Sequence, residues 1–166
     1  MKRGEIFMKT AVVYYSLEGN TKKIANQISV KLNADIYELK EIKCKVPKEG
    51  FSKFFWGGKQ VFMKETPDLE KLNFNVDEYD CIFIGTPVWS FTYSPAIRSF
   101  FKKYTLKGKK IGIFCSHSGG LKNTIQNMKD QLVGNEFIAE IDVIDPIKND
   151  VESTKKIEQW LSNINI

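Results

Sequence analysis

Apolar positions along this chain switch repeatedly between two spacings. Thr10-Ala11-Val12-Val13-Tyr14-Tyr15 is a β-branched and aromatic run that predicts a buried strand over about residues 9–15. Ile24, Ala25, Ile28 and Leu32 then recur at helical spacing and predict a helix over about 20–33. Ile36, Tyr37 and Leu39 mark a second strand from Asp35 to Lys40. Cys81-Ile82-Phe83-Ile84 marks a third, ending at Gly85, and Ile111-Gly112-Ile113-Phe114-Cys115 a fourth. Ile97, Phe100, Phe101 and Tyr104 predict the helix between those two, and Leu121, Ile125, Met128 and Leu132 the next one. In a fifth strand, about 136–144, Phe137, Ala139, Ile141 and Val143 alternate with polar positions that include Glu140 and Asp142, as on a half-exposed edge. Ile157, Trp160, Leu161 and Ile164 close the chain as an amphipathic helix.

The pattern breaks over residues 44–75, which contain Pro47 and Pro67. Between them Phe51, Phe54, Phe55, Gly58 and Phe62 fall on one helical face, with Trp56 off it. Gly57-Gly58 weakens that helix by about 1 kcal/mol per glycine relative to alanine. Two readings stand side by side: a crossover helix packed on the sheet, and an aromatic flap near a planar ligand.

Strands alternating with helices imply an α/β fold, a doubly wound three-layer sandwich with right-handed crossovers. The most apolar strands, one, three and four, belong in the centre and strands two and five at the edges. The expected order of this five-stranded parallel sheet is therefore 2-1-3-4-5. Its switch point lies between strands one and three, where ligands bind outside the carboxyl ends of the strands. At 166 residues the chain suits one domain, here residues 9–166, with 1–8 set apart as an N-terminal extension.

Three unusual loops leave those carboxyl ends. The first is Ser16-Leu17-Glu18-Gly19-Asn20-Thr21, small and rich in hydroxyls. Gly19 permits a tight turn, Asn20 or Thr21 can cap the helix, and the amides of a helix N-terminus suit a phosphate. A plain capped helix entry is the competing account. The second loop runs from Thr86 to Pro95 and includes Pro87, Val88, Trp89, Ser90, Phe91 and Thr92. Its aromatic side chains are costly to leave in a loop unless they pack on something. The third, Ser116-His117-Ser118-Gly119-Gly120, holds two glycines and the sole histidine. A phosphate cradle beside aromatic faces and a small-residue loop suits a planar phosphorylated cofactor.

Charge and other motifs narrow the field. Twenty-five Lys and Arg against twenty Asp and Glu give a net charge of +5. The lysines are scattered, which argues against a nucleic-acid footprint. Cys44, Cys81 and Cys115 form no CxxC, so neither a disulfide framework nor a metal site is expected, and a reducing, cytoplasmic setting is. No apolar run approaches a membrane span. No G-x-G-x-x-G follows the first strand, no G-x-x-x-x-G-K-[ST] occurs, and Leu121 stands where a Cys-x5-Arg phosphatase loop starting at Cys115 needs arginine.

YYSLEGNT (Tyr14–Thr21), GTPVWSFTYSPAIRSFF (Gly85–Phe101) and CSHSGG (Cys115–Gly120) resemble the flavodoxin-like FMN-binding family, and the likeness in element order extends over residues 9–166. The resemblance implies that Ser16, Leu17, Glu18, Gly19, Asn20 and Thr21 hold the phosphate of FMN. It implies that Pro87, Val88, Trp89, Ser90, Phe91 and Thr92 line one side of the isoalloxazine ring, and Ser116, His117, Ser118, Gly119 and Gly120 the other. Glu18 replaces a threonine common in the family and is expected to face solvent, offering only its N–H. Carrier members are usually acidic, unlike this chain, and carry a glycine in the second loop where a peptide flips toward the reduced ring. Without that glycine, φ > 0 at Ser90, Phe91 or Thr92 costs roughly 1–3 kcal/mol, so two-electron transfer is expected to prevail. His117 is either a proton or charge source near reduced flavin or a solvent-facing loop residue.

The resemblance implies FMN-dependent electron transfer, foremost as an oxidoreductase passing electrons from NAD(P)H or a reductase to a small acceptor. The alternatives are a flavodoxin-type carrier serving a protein partner and a binding module of this fold without tight flavin. A homodimer is open.

Overall fold

The computed structural model describes residues 8–44, 50, 52–164 and 166. In chain order the elements are β1 (Thr10–Tyr15), α1 (Asn20–Leu32), β2 (Asp35–Leu39), α2 (Ser52–Phe62), β3 (Cys81–Trp89), β4 (Thr92–Tyr93), α3 (Pro95–Lys103), β5 (Lys110–His117), α4 (Thr124–Gln131), β6 (Glu136–Ile144) and α5 (Asp150–Ser162). Five strands form a parallel sheet in the order β2-β1-β3-β5-β6. This is the expected 2-1-3-4-5 order with one addition: β4 is a two-residue strand hairpinned antiparallel onto β3.

The period-2 alternation of β1 splits its side chains between two cores. Ala11, Val13 and Tyr15 pack on one face with Ile82, Ile84, Ile97, Phe100, Ile111, Ile113 and Met128. Val12 and Tyr14 pack on the other with Phe83, Phe114, Ile24, Ile28, Ile157 and Leu161. The first core lies beneath α3 and α4, the second beneath α1 and α5. Each large apolar side chain fully buried this way contributes about 1.5–3 kcal/mol.

At the centre of the sheet the second face holds a reciprocal arrangement. Phe83 of β3 is opposite Gly112 of β5, and Gly85 of β3 is opposite Phe114 of β5. Each phenyl ring lies where a Cβ on the facing glycine would stand, about 2.1–2.2 Å from that position. Both rings are fully buried. The glycines in these strands are therefore the floor on which the two rings rest.

The strands outrun their sequence-based bounds. β3 continues past Gly85 through Pro87 to Trp89, and β5 ends at His117 rather than Cys115. Pro87 still sits in register with Ser116 of β5. The two extensions carry the second and third loops outward as ordered backbone. The face expected of α2 is also corrected. Phe62 is 86% exposed, whereas Gly57 and Gln60 are buried. Phe51 and the side chains of Phe54 and Phe55 lie outside the described residues. Among the described residues no helix is long and apolar enough to cross a membrane, and no cluster of His, Cys, Asp and Glu is placed to hold a metal ion.

Candidate functional site

At the carboxyl end of β1 the chain turns through Gly19 at φ 92°, a left-handed conformation that glycine adopts without a Cβ penalty. The Gly19 N–H donates to Ser16 Oγ at 3.1 Å, which closes the loop on itself. The first helical bond of α1 runs from Lys23 N–H to Gly19 O. The amides of Asn20, Thr21 and Lys22 thus precede the ladder and have no partner within the helix.

Neither expected cap is present. Gly19 is the N-cap, with no side-chain capping bond. Asn20 Oδ1 instead accepts the N–H of Ile147 at 3.0 Å. Thr21 Oγ1 is 2.8 Å from Ser116 Oγ, a buried hydroxyl pair that ties the start of α1 to the end of β5. Glu18 is exposed at the rim, as expected of its side chain.

The second loop is a β-hairpin. Val88 pairs with Tyr93 and Trp89 with Thr92, leaving Ser90 and Phe91 as a two-residue connection. Both have positive φ, 46° and 65°. Two-residue hairpins favour the type I′ turn because its twist matches the flanking strands, and that turn requires φ > 0 at both central positions. Hairpin register thus imposes left-handed backbone on a glycine-free segment where it is expected to be strained. Non-glycine residues held there cost roughly 1–2 kcal/mol each.

Trp89 is anchored from two sides. Tyr15 meets it edge-on, with ring centroids 5.7 Å apart. Gly57 of α2 lies over the indole so closely that a Cβ there would stand 3.5 Å from Trp89 Cε3. Burial, then Glu41 and then Cys44, hold the Tyr15 phenol protonated far above its ordinary range, so this aromatic floor stays neutral. Phe91, at the tip, reaches across to the third loop, where a Cβ on Gly120 would meet its Cε1 at 3.4 Å. Lys122 Nζ lies 5.5 Å from the Phe91 ring centre, and Lys59 Nζ 5.3 Å from that of Trp56.

In the third loop Gly119 and Gly120 both have φ 116°, a conformation closed to other residues in practice. The His117 side chain is nearly buried, and its Nε2 is 3.1 Å from Asp142 Oδ2. Its Nδ1 accepts the N–H of Gly119 at 3.1 Å. Both ring nitrogens are thus committed to protein groups: Nδ1 as an acceptor, leaving Nε2 to carry the proton toward Asp142. The His117 side chain is not solvent-facing. It fixes the loop.

These three loops enclose one cleft of about 420 Å³, lined by Ser16, Leu17, Glu18, Asn20, Thr21, Pro87, Val88, Trp89, Ser90, Phe91 and all of Ser116–Gly120. Gly57 and Gly58 of α2 complete the wall. Gly19 and Thr92 lie outside the lining. Gly19 packs on Ile147, and Thr92 Oγ1 accepts from Asn127 Nδ2 at 3.0 Å. The α2 glycines were not legible as site residues, since only the absence of a side chain brings them there.

A phosphate would find unpaired helix amides at one end of this cleft, and a planar ring would find aromatic and glycine walls at the other. The donor set therefore fits FMN.

Solved structures share the architecture. A flavoprotein in complex with FMN from Lactobacillus acidophilus NCFM is 20% identical, with TM-score 0.73 over 92% of this chain and 98% of its own. Two-electron reduced Megasphaera elsdenii flavodoxin is 21% identical, with TM-score 0.58 over 92% and 98%. An FMN-bound flavodoxin mutant from Fusobacterium nucleatum is 16% identical, with TM-score 0.58 over 94% and 95%. No curated protein matches the sequence. The family model described as flavodoxin matches residues 9–164, which include all three loops and the whole sheet, and the chain belongs to that family.

Proposed function

We propose that this chain binds FMN in the three-loop cleft and acts as an oxidoreductase, passing electrons from NAD(P)H or a reductase to a small acceptor. The observation that carries the reading is the convergence of the α1 amides, the Trp89–Phe91 hairpin and the glycine loop on one cleft. FMN would supply the redox chemistry, because the flavin accepts and gives electrons whereas none of these side chains does.

The chain's own groups bind and orient. The amides of Asn20, Thr21 and Lys22 and the hydroxyls of Ser16 and Thr21 hold the phosphate, and the α1 dipole favours its charge. Trp89 and Phe91 flank the ring and exclude water from one side. The backbone of Ser118–Gly120 meets the ring's polar edge, and His117 keeps that backbone in place. Lys122 puts positive charge beside Phe91 at the cleft, which suits an anionic donor or acceptor better than the acidic surfaces usual in carriers.

A carrier serving an acidic protein partner is the second reading, favoured by the net charge of +5. The test is the visible spectrum of the purified protein with added FMN, followed by NAD(P)H. Flavin bands saturating at one FMN per chain, and bleaching by NAD(P)H with turnover on a quinone, are expected. Flavin bands without bleaching would leave the carrier reading. A protein that ignores FMN would refute both and leave a binding module of this fold.

A further inference from the structure

The turn between β6 and α5 contributes nothing to the cleft lining, yet it is bonded to two of the three loops. Asp145 has φ 40°. Its N–H donates to His117 O at 2.8 Å, and its Oδ1 accepts the hydroxyl of Ser118 at 2.6 Å. Both partners belong to the glycine loop.

Two residues on, the same turn grips the phosphate loop. Ile147 N–H donates to Asn20 Oδ1 at 3.0 Å, and Ile147 Cδ1 lies 3.3 Å from where a Gly19 Cβ would stand. Lys23 of α1 donates to Pro146 O at 2.7 Å and pairs with Asp150. Asn149 N–H bonds back to Asp145 O at 2.9 Å, so the turn is braced internally. One short segment thus spans the two loops that the proposed ligand would touch at its two ends.

We propose that Asp145 is a positioning residue: by holding Ser118, it fixes the glycine loop at a set distance from the phosphate loop, so that one ligand can engage both at once. The proposal rests on the FMN reading. Its physical content is preorganisation. A ligand that reaches only one loop lets that loop settle where it will. A ligand that spans both must hold them in register, and a pre-set spacing removes that cost. The His117–Gly119 bond braces the loop from within, and the Ser118–Asp145 bond is the side-chain tie from its two-glycine stretch to the β6–α5 turn. The Ser118–Asp145 pair is exposed, so its loss is expected to cost about a factor of ten in affinity, which is 1.4 kcal/mol.

The experiment compares FMN with riboflavin, which has the ring but no phosphate, by flavin fluorescence titration of the full chain. The variants are Ser118→Ala, Asp145→Ala and Asp145→Asn. Ser118→Ala leaves the backbone at residue 145 untouched, so it guards against strain from alanine at φ 40°. The expected result is an FMN Kd raised about tenfold in Ser118→Ala and Asp145→Ala, with riboflavin nearly unchanged. Asn keeps an acceptor oxygen without its charge, so Asp145→Asn should bind FMN between the wild type and Asp145→Ala, with riboflavin again nearly unchanged. Equal weakening of FMN and riboflavin in Ser118→Ala, or no weakening, overturns the proposal, because lost direct contact or general loosening predicts equal factors. Asp145→Asn as weak as Asp145→Ala also overturns it. A wild-type chain that binds neither flavin overturns this proposal together with the FMN reading, whereas tight wild-type FMN binding with an unchanged ratio overturns this one alone.

Discussion

Replacing Gly85 by alanine would test the reciprocal pairing at the centre of the sheet. The new methyl would stand 2.1 Å from Cε2 and Cζ of Phe114 and 2.8 Å from its Cδ2. Favourable carbon contacts lie near 3.5–4.0 Å, so the ring must move by more than an ångström. It has little room: Phe114 is fully buried, and β3 and β5 are held in register on both sides of the pair. Overpacking of this kind costs typically 1–3 kcal/mol, and the depth of overlap places Gly85→Ala at the upper end, about 2–3 kcal/mol. For a chain of this size each kcal/mol lowers Tm by about 2–4 °C, which gives a fall of about 4–12 °C. Urea unfolding followed by far-UV circular dichroism reads the free energy directly. Gly85→Ala combined with Phe114→Leu should regain much of the loss, because the smaller side chain vacates the contested space. Stability of Gly85→Ala within about 0.5 kcal/mol of wild type, or a double variant worse than the sum of the singles, would refute the reasoning.

Other expectations follow from single sites. Ser90→Gly should stabilise the protein by about 0.5–1 kcal/mol in urea, because glycine relieves the left-handed strain at the cost of some chain entropy; destabilisation would contradict the type I′ hairpin. Thr21→Val should cost about 1–3 kcal/mol by leaving Ser116 Oγ buried without its partner. Thr21→Val with Ser116→Ala should then cost less than the sum of the single changes, and strict additivity would argue against the pair. Burial pushes the Cys81 thiol up to about 12 and the Cys115 thiol up as well. A raised pKa keeps a thiol neutral and unreactive below it, so at pH 8 Ellman's reagent should titrate Cys44 alone in the native chain and all three thiols after denaturation. Prompt native reaction of a second thiol would speak against the burial of those strands.

The chain's fold was legible because its strands and helices are marked by different periods and its central strands are the most apolar. Thr10–Tyr15 and Cys81–Ile84 read as buried parallel strands for the reason they pack as such: both faces are covered. The hairpin was missed because Pro87 reads as a break, yet in β3 the sheet around it tolerates its missing N–H. The left-handed turn at Ser90-Phe91 was missed because register, not residue preference, imposes it. The α2 glycines and the β6–α5 turn were missed for another reason. Gly57 and Gly58 act by lacking side chains, and Asp145 to Ile147 act through bonds to residues far away in sequence. His117 was noticed for its titratable ring, and the structure assigns that ring to holding Gly119.

The bond from Ile147 to Asn20 joins residues 127 positions apart, and that distance bears on how the protein is made. The phosphate loop and the first strand leave the ribosome well before the segment that braces them. A nascent chain released before residue 147 would display an unbraced loop beside a sheet lacking its final helix. Parallel pairings between distant strands form slowly, since chain entropy must be overcome before contacts form. The spacing between the phosphate loop and the glycine loop is thus set only once residue 147 has joined the fold.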